Sequence, residues 1–99
     1  MSLALAAPFV LAALAAAPAR ANMVFVTNEK DNTVSVIDST KLEVVKTFKV
    51  GQRPRGIILT KDAKRLLICT SDDNVIQVYD AKTYEFIRTL PSGPDPELF

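Results

Sequence analysis

The sequence predicts an all-β chain built from one repeated unit, and three observations support that prediction. Residues 24–57 align without a gap with residues 66–99, forty-two places further along the chain. Each copy consists of short β-type runs separated by polar turns, without the 3.6-residue apolar spacing of helical repeats. A period of about 40–45 residues made of short strands is typical of β-propeller blades. The predicted fold is therefore a β-propeller of four-stranded antiparallel blades, of which this chain contains about two.

Conserved turn and strand residues define the alignment of the two copies. The identical pairs include Asp31 with Asp73, Asn32 with Asn74, Val36 with Val78, Asp38 with Asp80, Thr47 with Thr89, Gly51 with Gly93, and Pro54 with Pro96. Most other aligned positions match an apolar residue with an apolar residue. Because a propeller closes only with about four to eight blades, we expect the chain to be a fragment of a longer ring.

Residues 1–21 differ in composition from the rest of the chain. The run from Leu3 to Ala17 is uncharged and too short to cross a bilayer as a helix of about 20 residues. Pro18 ends it, and Ala19-Arg20-Ala21 has the small-x-small pattern of a signal peptidase site. We therefore expect a helical signal peptide over residues 1–21 and a periplasmic or secreted protein, although no basic residue precedes the apolar run. The alternative, an N-terminal helix packed on the domain, is disfavoured by the prolines and the lack of a polar face.

Residues 22–50 are predicted to form an incomplete first blade with three strands, at 23–28, 34–38 and 43–50. The apolar run in the first of these strands predicts burial on both faces. Residues 51–90 supply the second blade, with strands at 55–60, 66–70, 75–80 and 85–90, and residues 91–99 begin a third. The inner strand missing from the first blade would come from the distant C-terminus of the full protein, as in most closed rings.

The turns between these strands carry residues that suit tight geometry. Asn and Asp in 29–32 and 71–74 tolerate the left-handed conformation, and Asp38 and Asp80 can accept hydrogen bonds from the amides of the turns that follow them. Strand alternation then assigns the loops to two rims. Loops 29–32, 51–54, 71–74 and 91–96 share one rim, and loops 39–42, 61–65 and 81–84 share the other.

The runs at 24–28 and 32–38, followed by 50–57 and 60–66, resemble the YVTN family of β-propeller repeats, with Val-Phe-Val-Thr-Asn at the family's signature position. The loops 51–56 and 92–99 are most similar to propellers associated with pyrroloquinoline quinone (PQQ)-dependent alcohol catabolism. That resemblance implies a periplasmic protein that accompanies a quinoprotein dehydrogenase. The second copy departs from the signature at Cys69-Thr70. A WD40 propeller is the competing assignment, but the sequence contains no Trp and no His.

Composition excludes several kinds of site. Without His, the chain offers no imidazole base, haem axial His or His zinc ligand. One of its twelve basic residues, Arg20, belongs to the predicted leader, so the mature chain is formally neutral and no nucleic-acid or membrane partner is expected.

Cys69 is interpreted as a buried small hydrophobe. Asp72-Asp73 is interpreted as a solvated turn, because a hard-cation site needs several more oxygen ligands. Tyr79, Tyr84, Phe48 and Phe86 are assigned to strand positions in the inter-blade core.

The candidate site consists of Arg53 and Arg55 in one blade junction and Asp95 and Glu97 at the aligned positions of the next. These loops enter the innermost strands, so the side chains could border the mouth of the central channel. The planar guanidinium suits a carboxylate or a quinone oxygen. The alternative is that these residues pair with one another as structural salt bridges between adjacent blades.

The leading hypothesis is a non-catalytic binding or accessory module for PQQ-dependent alcohol oxidation, with no cofactor in this fragment. Its expected partners are a periplasmic quinoprotein dehydrogenase or a small-molecule ligand. One alternative is a propeller enzyme, such as a lactonase or a haem or quinone oxidoreductase, whose site lies in blades outside this sequence. The other is a cell-surface structural or adhesion propeller. Fold alone does not decide among them.

Overall fold

The structure, a computed structural model, describes residues 22–99, so the predicted signal peptide lies outside the described residues. The described residues form seven strands: β1 (Met23–Asn28), β2 (Thr33–Asp38), β3 (Glu43–Lys49), β4 (Pro54–Leu59), β5 (Arg65–Thr70), β6 (Val75–Asp80) and β7 (Phe86–Pro91). They make a three-stranded sheet in the order β1-β2-β3 and a four-stranded sheet in the order β4-β5-β6-β7. All neighbouring strands are antiparallel. The all-β class and an architecture of about two blades are confirmed.

The two copies repeat their irregular backbone features as well as their strands. In β3, Val45 is an extra residue opposite the Val36–Ile37 step, and in β7 Ile87 is an extra residue opposite the aligned Val78–Tyr79 step. Within residues 22–99, seven non-glycine residues have a positive φ, and six of them form aligned pairs: Asn32 with Asn74, Leu42 with Tyr84, and Arg53 with Asp95. The same bulge and the same left-handed positions therefore shape both blades.

The predicted role of the aspartates that end β2 and β6 is confirmed. Oδ1 of Asp38 accepts hydrogen bonds from the amides of Thr40 and Lys41, at 2.8 and 3.0 Å. Oδ1 of Asp80 accepts the equivalent bonds from Lys82 and Thr83, at 2.8 and 2.9 Å. Each carboxylate thus satisfies two turn amides that have no strand partner.

The core lies between the two sheets and joins aromatic residues of both blades. Val34, Val36, Leu66 and Ile68 are fully buried there. The Phe48 ring of the first blade packs at 5.5 Å from Tyr79 and 5.1 Å from Tyr84 of the second, measured between ring centroids. These three residues belong to the inter-blade core as predicted. Tyr84, however, lies in a left-handed turn rather than a strand, with φ 63°, and Phe86 is 53% exposed.

The aligned faces of β1 and β5 differ in burial, although both carry apolar residues. Leu66 and Ile68 on β5 are 0% exposed, and Cys69 on the other face of that strand is 1% exposed, whereas Val24 and Val26, which align with Leu66 and Ile68, are 46% and 40% exposed. The prediction that β1 is buried on both faces is therefore wrong for the described part of the chain, where only one sheet packs against the first blade. Burial agrees with the interpretation of Cys69 as a small hydrophobe, and desolvation raises the pKa of its thiol.

Residues 22–99 contain no helix that is long and apolar enough to cross a membrane.

Candidate functional site

The loops that precede or connect the strands at one end of both sheets meet in a single surface, the junction rim, made of residues 29–32, 51–54, 71–74 and 91–96. Polar contacts join these loops across the blade boundary. The Asn32 side-chain amide donates to Gln52 Oε1 at 3.2 Å, and the Asp72 amide donates to the Gln52 carbonyl at 3.3 Å. The assignment of these four loops to one rim is therefore consistent with the structure.

Gly51 and Gln52 are held by acceptors from the second blade. The Gly51 amide donates to Gln77 Oε1 at 2.7 Å, and the Gln52 amide donates to Asp73 Oδ2 at 2.6 Å. Gln77 Oε1 also accepts the Tyr79 hydroxyl at 2.9 Å, which couples the loop to the inter-blade core. Burial and the negative charge of Asp73 raise the pKa of the Tyr79 hydroxyl above its ordinary value.

Arg53 occupies the left-handed region with φ 56°, a conformation that costs a non-glycine residue about 1–2 kcal/mol. Its amide donates to Asn32 Oδ1 at 2.8 Å, which fixes the backbone at that position. The guanidinium Nε lies 2.8 Å from Glu29 Oε1, and Nη1 lies 3.6 Å from Asp72 Oδ1. The hydrogen bond between Arg53 and Glu29 lowers the pKa of the Glu29 carboxyl and raises that of the guanidinium.

Arg55 is the first charged residue of β4 and forms a salt bridge with Glu97 through Nη1. The backbone supports the same contact, because the Gly56 amide donates to the Glu97 carbonyl at 2.7 Å. The Thr27 hydroxyl donates to the Arg55 carbonyl at 2.8 Å and ties this strand to β1. Arg55 and Glu97 thus form the inter-blade pair that the salt-bridge alternative describes.

Asp95 repeats the backbone geometry of Arg53 with the opposite charge. Its φ is 51°, and its amide donates to Asn74 Oδ1 at 2.9 Å, as the Arg53 amide does to Asn32. The structure therefore brings Arg55 and Glu97 together directly, while Arg53 pairs with Glu29 and Asp72 rather than with an aligned acidic residue. Sequence reasoning missed Glu29, since its contact with Arg53 depends on how the two blades pack and no local pattern marks it.

The described residues offer no cluster of side chains suited to metal binding. In the part of the chain that the structure covers, no three His, Cys, Asp or Glu side chains lie close enough together to hold a metal ion. The rim is instead a surface of exposed charges and backbone polar groups, which suits recognition of a polar ligand or of a protein surface.

Comparisons with known proteins show what this chain is similar to. It is 48% identical over 48 residues to Antigen Lp49 from Leptospira interrogans serogroup Icterohaemorrhagiae serovar copenhageni (strain Fiocruz L1-130), a stretch equal to 48% of this chain and 10% of that protein. The chain thus spans about a tenth of the length of this relative.

Among solved structures, the chain superposes on Kuenenia stuttgartiensis hydrazine synthase with a TM-score of 0.73 at 21% identity, covering 77% of this chain and 22% of that one. Apo AztD from Citrobacter koseri gives a TM-score of 0.68 at 21% identity, covering 82% and 24% of the two chains. The dihydro-heme d1 dehydrogenase NirN in complex with DHE gives 0.64 at 18% identity, covering 85% and 20%. At these identities the likeness concerns the fold alone.

The family description "YNCE-like beta-propeller" matches residues 2–98. The β-propeller expected from the repeats is thereby supported by sequence and by structure. Because the match extends over nearly the whole sequence, this chain belongs to the YNCE-like β-propeller family.

Proposed function

We propose that this chain is part of a periplasmic or secreted propeller that serves as a binding or accessory module for PQQ-dependent alcohol oxidation. In this proposal the junction rim contacts the partner, and Arg53 is its principal contact. The observation that supports it best is the geometry of Arg53. Its backbone is fixed in a left-handed conformation by Asn32, whereas its side chain is 40% exposed.

The guanidinium of Arg53 can exchange its present partner for a ligand at little cost. Glu29 is itself 47% exposed, and ion pairs between exposed side chains contribute only about 0–1 kcal/mol. A carboxylate or quinone oxygen could take the place of the Glu29 oxygen and bind the planar donor fork. Arg55 is the weaker candidate, because its side chain is less exposed, at 32%, and its partner Glu97 is also held by the backbone.

The association with PQQ rests on the resemblance of loops 51–56 and 92–99 to propellers of that system. The chain itself would supply a docking surface and no cofactor, and the partner would be a quinoprotein dehydrogenase or the free quinone. Export to the periplasm would follow from the signal peptide expected at residues 1–21.

A binding experiment on the full-length protein tests this proposal. Binding of free PQQ and of a purified quinoprotein alcohol dehydrogenase would be measured by calorimetry for the unmodified protein, Arg53→Glu and Lys41→Glu. Lys41 is an exposed residue of the opposite rim and provides a control of equal charge change. We expect Arg53→Glu to weaken binding at least about tenfold and Lys41→Glu to leave it unchanged.

A third variant separates a ligand-binding arginine from a structural one. Glu29→Gln removes the charge that competes for the Arg53 guanidinium, so ligand binding should be kept or strengthened. Equal binding by the unmodified protein and Arg53→Glu would contradict the proposal and leave the salt-bridge interpretation in its place.

A propeller enzyme is the second candidate function. Two of the structurally similar proteins, hydrazine synthase and the dihydro-heme d1 dehydrogenase, are named as enzymes. Since the present sequence has no His, such a site would use residues of other blades. His residues or a haem-attachment motif elsewhere in the full reading frame, together with turnover by the purified protein, would favour the enzyme over the accessory module.

A further inference from the structure

A second charged feature lies on the rim opposite the junction rim. A cavity of about 510 Å³ opens between the turn that joins β4 to β5 and the turn that joins β6 to β7. Four charged side chains line it: Lys64, Arg65, Asp80 and Lys82. Its volume lies within the usual range of small-molecule pockets.

The first blade shows that the turn at this cavity does not need these cations to fold. The Ala81 amide donates to the Lys64 carbonyl at 3.0 Å, and the aligned Ser39 amide donates to the Asn22 carbonyl at 2.9 Å. Asp38 and Asp80 cap their turns in the same way. At the positions of Lys64, Arg65 and Lys82, however, the first blade carries Asn22, Met23 and Thr40.

The carboxylates near the cavity accept hydrogen bonds from groups of the turns in which they lie. Asp80 Oδ1 accepts two backbone amides, and its Oδ2 lies 3.6 Å from Arg65 Nη1. Asp62 accepts the Thr60 hydroxyl at 2.6 Å and the Lys64 amide at 3.0 Å. Within residues 22–99, the ammonium groups of Lys64 and Lys82 form no salt bridge with either of these carboxylates. The lining of the cavity therefore carries an excess of positive charge.

From this arrangement we infer that the cavity binds the phosphate group of a soluble phosphorylated small molecule. The two lysines supply flexible point charges, and Arg65 supplies part of its donor fork, which suits a tetrahedral oxyanion. Asp80 Oδ2 is placed to accept a hydroxyl hydrogen of the same ligand. This site is separate from the junction rim and does not depend on the function proposed for it.

The test uses the full-length protein, with inorganic phosphate and glycerol 3-phosphate as probes, and calorimetry at constant ionic strength. The variant Lys64→Asn, Arg65→Met, Lys82→Thr installs the residues that the first blade carries in the same backbone frame. The control variant Lys41→Thr, Lys46→Thr, Lys49→Thr removes the same charge from exposed positions of the first blade. We expect the first variant to weaken phosphate binding at least about tenfold and the control to change it by less than about twofold.

Three results would overturn the inference. One is unchanged phosphate affinity in the cavity variant, and another is an equal loss in the control variant, which would indicate general charge attraction. The third is binding to vesicles that contain phosphatidic acid without binding to either soluble probe, which would assign the cavity to a lipid surface. If the triple variant fails to fold, Lys82→Thr alone replaces it. Its expected loss is about threefold, and an unchanged affinity would also overturn the inference.

Discussion

Replacing Gly51 by alanine should destabilise the fold, whereas the same replacement at the aligned Gly93 should not. A Cβ atom on Gly51 would lie 2.4 Å from Asp73 Oδ2, 2.9 Å from Thr70 Cγ2 and 3.0 Å from Gln77 Cδ. Around Gly93, the described residues leave the corresponding space open to 4 Å. The two copies thus provide a matched pair of sites for one substitution.

The cost at Gly51 follows from what these neighbours do. Asp73 and Gln77 are the acceptors for the Gln52 and Gly51 amides, so moving them away weakens two hydrogen bonds of about 1 kcal/mol each. Thr70 is fully buried and cannot move freely, which adds an overpacking cost of about 1–3 kcal/mol. Alanine also lowers the conformational entropy of the unfolded chain, which offsets about 0.4–1 kcal/mol of this cost. The expected net loss is about 2–5 kcal/mol.

Urea denaturation of the two variants of this chain, followed by circular dichroism, measures the difference. Gly93→Ala should stay within about 0.5 kcal/mol of the unmodified chain. In the background of Asp73→Ala the worst contact is absent, so Gly51→Ala should cost at least about 1 kcal/mol less than it does alone. Equal stabilities of Gly51→Ala and Gly93→Ala would refute the close approach of the blades at this loop.

Three further predictions concern the turns and the core. Asn32→Ala should lower the free energy of unfolding by about 2 kcal/mol, because it removes the acceptor for the Arg53 amide and places alanine at positive φ. Asn32→Gly should cost less in the same urea titration, and equal costs would contradict the part played by φ. Phe48→Ala should cost about 3–5 kcal/mol, since this ring contacts both tyrosines of the inter-blade core; Phe86→Ala, at a 53% exposed position, is its control, and an equal loss would contradict the assignment of the core. The amides of Thr83 and Lys82 hold the pKa of Asp80 below its ordinary value of 3.8, so this carboxylate stabilises the fold fully above about pH 4 and loses that effect as the pH falls through its lower folded-state pKa. The melting temperatures of the unmodified chain and Asp80→Asn should therefore converge below about pH 4, and a constant difference would exclude this linkage.

The strands were predictable because their boundaries are marked by residues with strong local preferences. Asn32 and Asn74 favour the left-handed turn, and Asp38 and Asp80 can cap the turns that follow. The left-handed conformations of Leu42 and Tyr84 carry no such signal, since a bulky side chain disfavours positive φ. Those positions are determined by the bulge and turn geometry that both blades share, and the sequence therefore does not show that Tyr84 lies outside the strand.

The candidate site was predictable only in part, for a related physical reason. Alignment by repeat identifies which residues occupy equivalent positions, and this was sufficient to select Arg55 and Glu97, which do meet. It cannot identify contacts that depend on the angle between blades. Arg53 and Glu29 lie twenty-four residues apart in sequence and meet only because the first hairpin and the junction loop lie side by side. The sequence of β1 also does not show which of its faces is exposed, because the burial of a strand depends on the sheets that pack around it.

Where the two copies share a backbone contact but differ in charge, the shared turn geometry does not require the charge that either copy carries. Arg53 and Asp95 have the same φ region and the same hydrogen bond to an aligned asparagine, yet their charges are opposite. On the other rim, the same turn is built with Asn22, Met23 and Thr40 in one blade and with Lys64, Arg65 and Lys82 in the next. A requirement of the turn geometry constrains both copies alike, as it does at Asp38 and Asp80. Aligned positions that share their backbone contacts but differ in side chain are therefore the first places to look for ligand or partner recognition.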